Sequence, residues 1–136
     1  MSIETNKAVV QRFIREFQNE KKQETAVELL ADNFIDRSPI GEFSPDKEGV
    51  IQMHAMLHSA FSDLKAEIHD QIGEDGRVAT RKTFRGVHTG NFMGIPATGR
   101  PVEIGVIDIL RIENGKIAEH WCQVDFAGLM GQLTAN

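Results

Sequence analysis

The sequence predicts an α+β domain: a cone in which a curved antiparallel sheet wraps around three N-terminal helices. Three observations predict it. Apolar residues recur at helical spacing through the first half of the chain, and the period changes to two after Ser62-Asp63. Two turn signatures, Glu74-Asp75-Gly76 and Asn114-Gly115, then divide the second half into hairpins. With 136 residues the chain has room for one such domain and a full hydrophobic core, so residues 1–136 are read as a single domain.

Asn6 to Phe17 place Val9, Val10, Phe13, Ile14 and Phe17 on one helical face, with Lys7, Gln11, Arg12, Arg15 and Glu16 on the remainder. A shorter second helix is expected from Glu24 to Ala31, burying Val27, Leu30 and then Phe34, before Asp36-Arg37-Ser38-Pro39 turns the chain. The third helix is expected to start with Ser44 as its cap and Pro45 in the first position. Asp46 and Glu48 favour its positive end, and Val50, Met53, Leu57 and Phe61 form its buried stripe. Leu64 to Ile72 then alternates as a strand, and Arg77 to His88 returns as its partner. Thr89 to Pro101, with Gly90, Gly94, Gly99, Pro96 and Pro101, reads as a structured loop at the mouth of the domain. A last hairpin runs from about Val102 to Asp125 and leads to a short tail around Leu129 to Leu133.

That hairpin carries the chemistry. An Asn-Gly pair favours a two-residue type I′ turn, which sets Glu113 opposite Lys116. An unbroken register then pairs Ile112 with Ile117, Leu110 with Glu119, Asp108 with Trp121, Val106 with Gln123 and Ile104 with Asp125. Those residues share one face, while Arg111, Ile109, Ile107, Ala118, His120, Cys122 and Val124 share the other. The first face reads as a pocket floor, with Asp108, Gln123 and Asp125 converging among apolar side chains. The alternative reading leaves Asp108 and Asp125 in water at strand ends. On the second face Ile107, Ile109 and Val124 are apolar enough to be covered by another subunit, so a homodimer through the outer sheet face is expected.

Composition narrows the partners. A net charge of −5 and fifteen scattered Lys and Arg residues offer no basic surface for nucleic acid. The lone Cys122 has no partner for a disulfide within the chain, and MSIETNKAVV lacks the layout of a secretory signal, so a cytoplasmic location is expected. No apolar run approaches the roughly 20 residues that span a bilayer, so no membrane partner is expected.

Several segments coincide in order with a known family: Asn6-Lys7, Asn33-Phe34-Ile35-Asp36, Phe61-Ser62-Asp63-Leu64, the run from Gly86 to Arg100, and Gly115-Lys116-Ile117-Ala118-Glu119-His120-Trp121 with Asp125. Across nearly the whole chain they resemble the SnoaL-like polyketide cyclases of the nuclear-transport-factor-2-like superfamily. The resemblance implies a cone-shaped domain that often dimerises through its outer sheet. It also implies cofactor-free, intramolecular aldol chemistry on a small hydrophobic carbonyl compound. It further implies an acid/base aspartate near the end of the last strand, which matches Asp125. Trp121 and Ile104 would be the apolar neighbours that raise its pKa toward neutrality. Asp108 either supports Asp125, shares its proton or binds a substrate hydroxyl, or else satisfies Trp121 Nε1 or a backbone group.

His88 is either a structural histidine or a residue reaching the mouth, and Gln123 either donates to a substrate carbonyl or lines the pocket. Asp36 is commonly followed by His in this family, whereas here Arg37 fixes a charge, which argues against an acid/base role near Asp36 and leaves it, with Trp121, as a substrate-binding candidate. The chain has no tyrosine, so the tyrosine oxyanion donor of the superfamily's ketosteroid isomerases is missing. Because the superfold also hosts proteins without catalytic activity, the alternative function is non-catalytic binding of a small molecule.

Other motifs carry less. His54 and His58 stand four apart on the third helix, but Ala55 occupies the place of a metalloprotease glutamate and no third ligand is evident, so His54 is expected to line the cavity and no metal is expected. The glycines from Gly86 to Gly99 lack phosphate-loop spacing and precede no helix. Cys122 and His120, on the outer face in the unbroken register, are expected to pack and to meet a second subunit, respectively.

Overall fold

In the computed structural model, which describes residues 2–135, Ser2 accepts a hydrogen bond from the Thr5 amide and starts α1 (Ile3–Arg12). The helix runs on as a π-helical stretch (Phe13–Asn19). The wider turn brings Phe13, Ile14, Phe17 and Gln18 all to the buried side. Asn19 ties this stretch to the sheet, accepting from the Ala66 amide at 2.7 Å and donating to the Ala66 carbonyl at 3.0 Å.

The second helix, α2 (Gln23–Leu29), ends earlier than the spacing predicts, because Leu30 is extended and opens a strand, β1 (Leu30–Asp36). This strand was not expected. Val27 is consequently exposed, and Thr25, Ala26 and Leu29 form the buried side instead. The third helix, α3 (Lys47–Ala60), is capped by Asp46 rather than Ser44: Asp46 Oδ1 accepts from the Gly49 amide at 2.9 Å and from Ser44 Oγ at 2.7 Å. A carboxylate at that position answers both the orphan amide and the helix dipole. Phe61 falls outside this helix and begins the sheet.

Strands β2 (Phe61–Glu74), β3 (Arg77–His88), β4 (Pro101–Glu113) and β5 (Lys116–Val124) form an antiparallel meander, and β1 adds to β5 in parallel, giving the order β1-β5-β4-β3-β2. The α+β cone is therefore as expected, except that one edge strand is parallel. Burial along β4 alternates: Val102, Ile104, Val106, Asp108, Leu110 and Ile112 face inward. The helices pack on that face. α1, its π-helical extension and α2 contribute to one apolar cluster with Leu110, Ile112 and Ile117. The Thr89–Arg100 loop and a fourth helix, α4 (Phe126–Thr134), contribute Phe92, Leu129 and Leu133 to another. α4 forms where a short tail around Leu129 to Leu133 is expected. Among the described residues no helix is long and apolar enough to cross a membrane.

Asn114 and Gly115 both have positive φ, 51° and 76°, as a type I′ turn requires, and Glu113–Lys116 and Ile112–Ile117 pair as predicted. The register then changes. A β-bulge leaves Ala118 without an opposing residue, so Arg111 pairs with Glu119, Leu110 with His120, Ile109 with Trp121, Asp108 with Cys122 and Ile107 with Gln123. From the bulge onward every side chain of β5 lies on the face opposite to that expected. The physical reason is Glu119. The unbroken register would set its carboxylate inward against Leu110. The bulge instead lets it bond Arg111 Nε at 2.6 Å and Arg37 Nε at 2.8 Å on the outside.

Candidate active site

The concave face encloses a cavity of about 100 Å³, lined mainly by apolar side chains including Phe13, Phe34, Met53, Phe84, Phe92 and Ile104. Besides Ser38, its polar groups come from six different elements: Gln18 from the π-helical stretch, Asp36 from the end of β1, His54 from α3, Lys82 from β3, Asp108 from β4 and His120 from β5. Five of these are buried outright, and the His120 side chain is 18% exposed. Polar groups from six elements converging in an apolar cavity make it the candidate site.

They form one chain of contacts. Asp36 Oδ1 accepts from the Ser38 amide at 2.9 Å and from His120 Nδ1 at 3.1 Å. His120 Nε2 lies 3.8 Å from Asp108 Oδ2, an ion-pair distance, and the same oxygen meets Lys82 Nζ at 2.9 Å. Lys82 also donates to Gln18 Oε1 at 3.1 Å. The Gln18 amide nitrogen donates to His54 Nε2 at 3.1 Å, and His54 Nδ1–H donates to the Val50 carbonyl at 2.9 Å. This last bond fixes His54 as a neutral acceptor toward Gln18.

Charge follows from these contacts. Burial alone would push the Asp108 carboxyl up, but Lys82 and His120 outweigh it and hold the group down at about 2. Burial would likewise lower His120, yet Asp108 and Asp36 on its two ring nitrogens raise it to about 11. Burial works against ionised Asp36 too, and His120 still holds it below the usual carboxylate range. His54, buried and facing cations, is pushed down to about 4 and stays neutral. The cluster is thus two cations and two carboxylates, with Asp108 Oδ1 buried and without a partner among the described residues.

The expected site is redrawn by the bulge. Asp108, Asp36 and His54 lie together in the cavity as lining residues. Asp125, Trp121 and Gln123 do not. Asp125 is exposed and caps α4, accepting from the Gly128 amide at 2.8 Å, because the bulge and the start of that helix carry it out of the sheet's inner face. Trp121 and Gln123 lie on the outer face opposite Ile109 and Ile107, so Trp121 is neither a neighbour of an inward Asp125 nor the partner of Asp108. His88 is fully buried, accepts from the Thr98 amide at 3.2 Å, and thereby holds the Thr89–Arg100 loop rather than lining the cavity.

The same slip turns His120, Cys122 and Val124 from outer residues into cavity-lining ones, which removes Val124 from the expected dimer face. Lys82 and Gln18 were missed, although the signal for Lys82 is present: alternation along β3 puts Val78, Thr80, Lys82 and Phe84 on one face. Arg111 stays on the opposite face, bonded to Glu113 and Glu119, so no Asp-Arg-Asp site assembles with Asp108.

A cone of this topology is the fold of the nuclear-transport-factor-2-like class, here with ionisable groups in an apolar cavity. Within that class the assignment is specific: the sequence profile of the SnoaL-like polyketide cyclases matches residues 8–133, and the chain belongs to that family. The chain is similar to DauD of Streptomyces sp. (strain C5), an aklanonic acid methyl ester cyclase, with 31% identity over 132 residues, 92% of this chain and 79% of DauD. Among solved structures, TsrD from Streptomyces laurentii superposes with a TM-score of 0.89 at 29% identity, covering 100% of this chain and 99% of TsrD. IdmH from Streptomyces antibioticus gives a TM-score of 0.83 at 31% identity, covering 94% and 97%.

Proposed function

We propose that the protein closes a ring in a carbonyl-rich polyketide by a cofactor-free intramolecular aldol reaction, with Asp108 as the acid/base. The observation that carries this reading is the free Oδ1 of Asp108, a buried, ionised carboxylate oxygen in an apolar cavity, in a chain of a cyclase family. A substrate C–H flanked by carbonyls gives its proton to Oδ1 and its electron pair passes into the adjacent carbonyl, forming an enolate. The enolate carbon attacks a second carbonyl of the same molecule, and the resulting alkoxide takes the proton back from the Asp108 carboxyl. Net composition is unchanged. His120 positions the base, since its ring spans Asp36 and Asp108.

The test is direct incubation with aklanonic acid methyl ester and related polyketide esters, followed by chromatography and mass spectrometry. The expected product has the mass of the substrate and a different chromophore and retention time. Compounds that raise the melting temperature yet are never cyclised would favour the alternative, a binding protein without turnover.

The outer face of the sheet is proposed as a homodimer interface. Ile107 and Ile109 are 54% and 37% exposed there, with Trp121 beside Ile109 on the neighbouring strand. Light scattering is expected to give twice the chain mass at micromolar concentration, and Ile107→Asp to give the single mass. A monomeric wild-type protein would end this reading.

A further inference from the structure

We infer that Lys82 is the oxyanion-binding residue of this site, its ammonium receiving the enolate oxygen that forms when Asp108 takes the substrate's proton. The inference deepens the ring-closure reading and rests on it for the identity of the oxygen, while the site itself stands on geometry. Other cations of β3 behave differently. Arg81 and Arg85 point outward to Asp70 and Glu67, whereas Lys82 is 3% exposed and faces the cavity. Taking an ammonium out of water is costly, and apolar residues of similar volume commonly serve stability as well or better, so a lysine here calls for a chemical role.

The surroundings supply one. An ammonium has three donors. Gln18 Oε1 accepts from it at 3.1 Å, Asp108 Oδ2 lies at 2.9 Å as its ion-pair partner, and no third acceptor is found among the described residues. The carbon surface beneath the ammonium is Phe84, whose ring centroid lies 5.3 Å from Nζ and which lines the same cavity. Gln18 reaches this position because the π-helical stretch turns it inward, and such stretches recur at functional sites. Since Oδ1 and Oδ2 belong to one carboxylate, a substrate that meets the free Oδ1 arrives beside Lys82 as well.

Charge balance points the same way. Before reaction Lys82 and His120 offset Asp108 and Asp36. Once the proton reaches Oδ1, the electron pair of the broken C–H bond resides on the carbonyl oxygen and the cluster carries one uncompensated positive charge. Lys82, released from a carboxylate that is now neutral, donates its N–H to that oxygen. This also answers the weak basicity of a carboxyl held at about 2: the cations that depress it are the ones that stabilise the product of the proton transfer.

A phenol tests this without the natural substrate, because a bound phenol that gives its proton to Asp108 becomes a phenolate with its own absorbance band. The probe is 4-nitrophenol at a pH where the free compound is mostly neutral. Wild-type protein is expected to raise the ratio of phenolate to phenol in the bound probe, and Lys82→Met to lower that ratio at least about tenfold, in line with the loss of one oxyanion donor. Lys82→Arg is expected to retain most of it. Gln18→Met, which keeps the ion pair, supplies a second variant should Lys82→Met fail to fold, and an intermediate loss of about threefold is expected for one weakened donor geometry. A Lys82→Met protein that ionises the probe as wild type does, an unchanged ratio in Gln18→Met, or a wild-type protein that leaves the probe neutral or fails to bind it at millimolar concentration would overturn the inference. Because the probe is never cyclised, ionisation without polyketide turnover would sink ring closure and keep the site. Turnover without ionisation would do the reverse.

Discussion

Asp108→Asn is expected to lower turnover of a cyclised polyketide by about 10²- to 10⁴-fold, the range for loss of a positioned acid/base group. Asparagine keeps the shape and still offers an oxygen to Lys82, but its amide takes up no proton from carbon. The substitution also leaves Lys82 and His120 facing a neutral group, and breaking a buried ion pair from one side costs about 3–5 kcal/mol. Urea unfolding must therefore accompany the kinetics, and the assay belongs well below the variant's melting temperature. Asp125→Asn is the matched control. Asn caps a helix about as well as Asp, so its stability is expected to stay within a few tenths of a kcal/mol of wild type and its turnover nearly unchanged. A folded Asp108→Asn protein that cyclises at the wild-type rate would remove Asp108 from the mechanism, and an inactive Asp125→Asn protein would return the role to the end of the last strand.

That contrast between two aspartates shows how far the sequence could be read. The helical stripe from Val10 to Phe17, the bounds of β3 and the Asn114-Gly115 turn are local properties, set by spacing and by φ preferences a few residues wide, and the structure reproduces them. Asp108 is legible for the same reason, lying on a strand whose alternation is unbroken. The face of β5 is decided by non-local partners. Glu119 bonds Arg111 eight residues away and Arg37 eighty-two residues away, and only with both in view does a bulge at Ala118 become preferable to a regular ladder. β1 escaped for a related reason. Leu30 to Asp36 has no neighbouring strand in sequence, and its parallel partner begins eighty residues later with Lys116. The helix itself gives no warning that its turn widens at Phe13, so no local spacing marks Gln18 as an inward-facing residue.

Folding stability of the unliganded protein is expected to peak near pH 6.5 and to fall on both sides, because two histidines of the cluster are moved in opposite directions. His120 keeps its proton in the folded state up to about 11, whereas the unfolded chain releases it near 6.5. Between those values the folded state binds more protons, so stability drops as pH rises, by at most about 1.4 kcal/mol per pH unit. His54 works the other way. The folded protein holds it neutral down to about 4 while the unfolded chain protonates near 6.5, so stability also drops as pH falls through that interval. Asp108 steepens the acid limb further down, between its ordinary 3.8 and about 2.

Urea midpoints measured from about pH 4 to pH 10 read both limbs, and His120→Gln separates them. That variant is expected to lose about 3–5 kcal/mol near neutrality, since Asp36 and Asp108 lose the cation between them. It should also lose the alkaline slope while keeping the acid one. An alkaline limb that persists unchanged in His120→Gln would mean that the imidazole is not the shared cation of the two carboxylates, and Asp108 would then have Lys82 alone to hold it ionised.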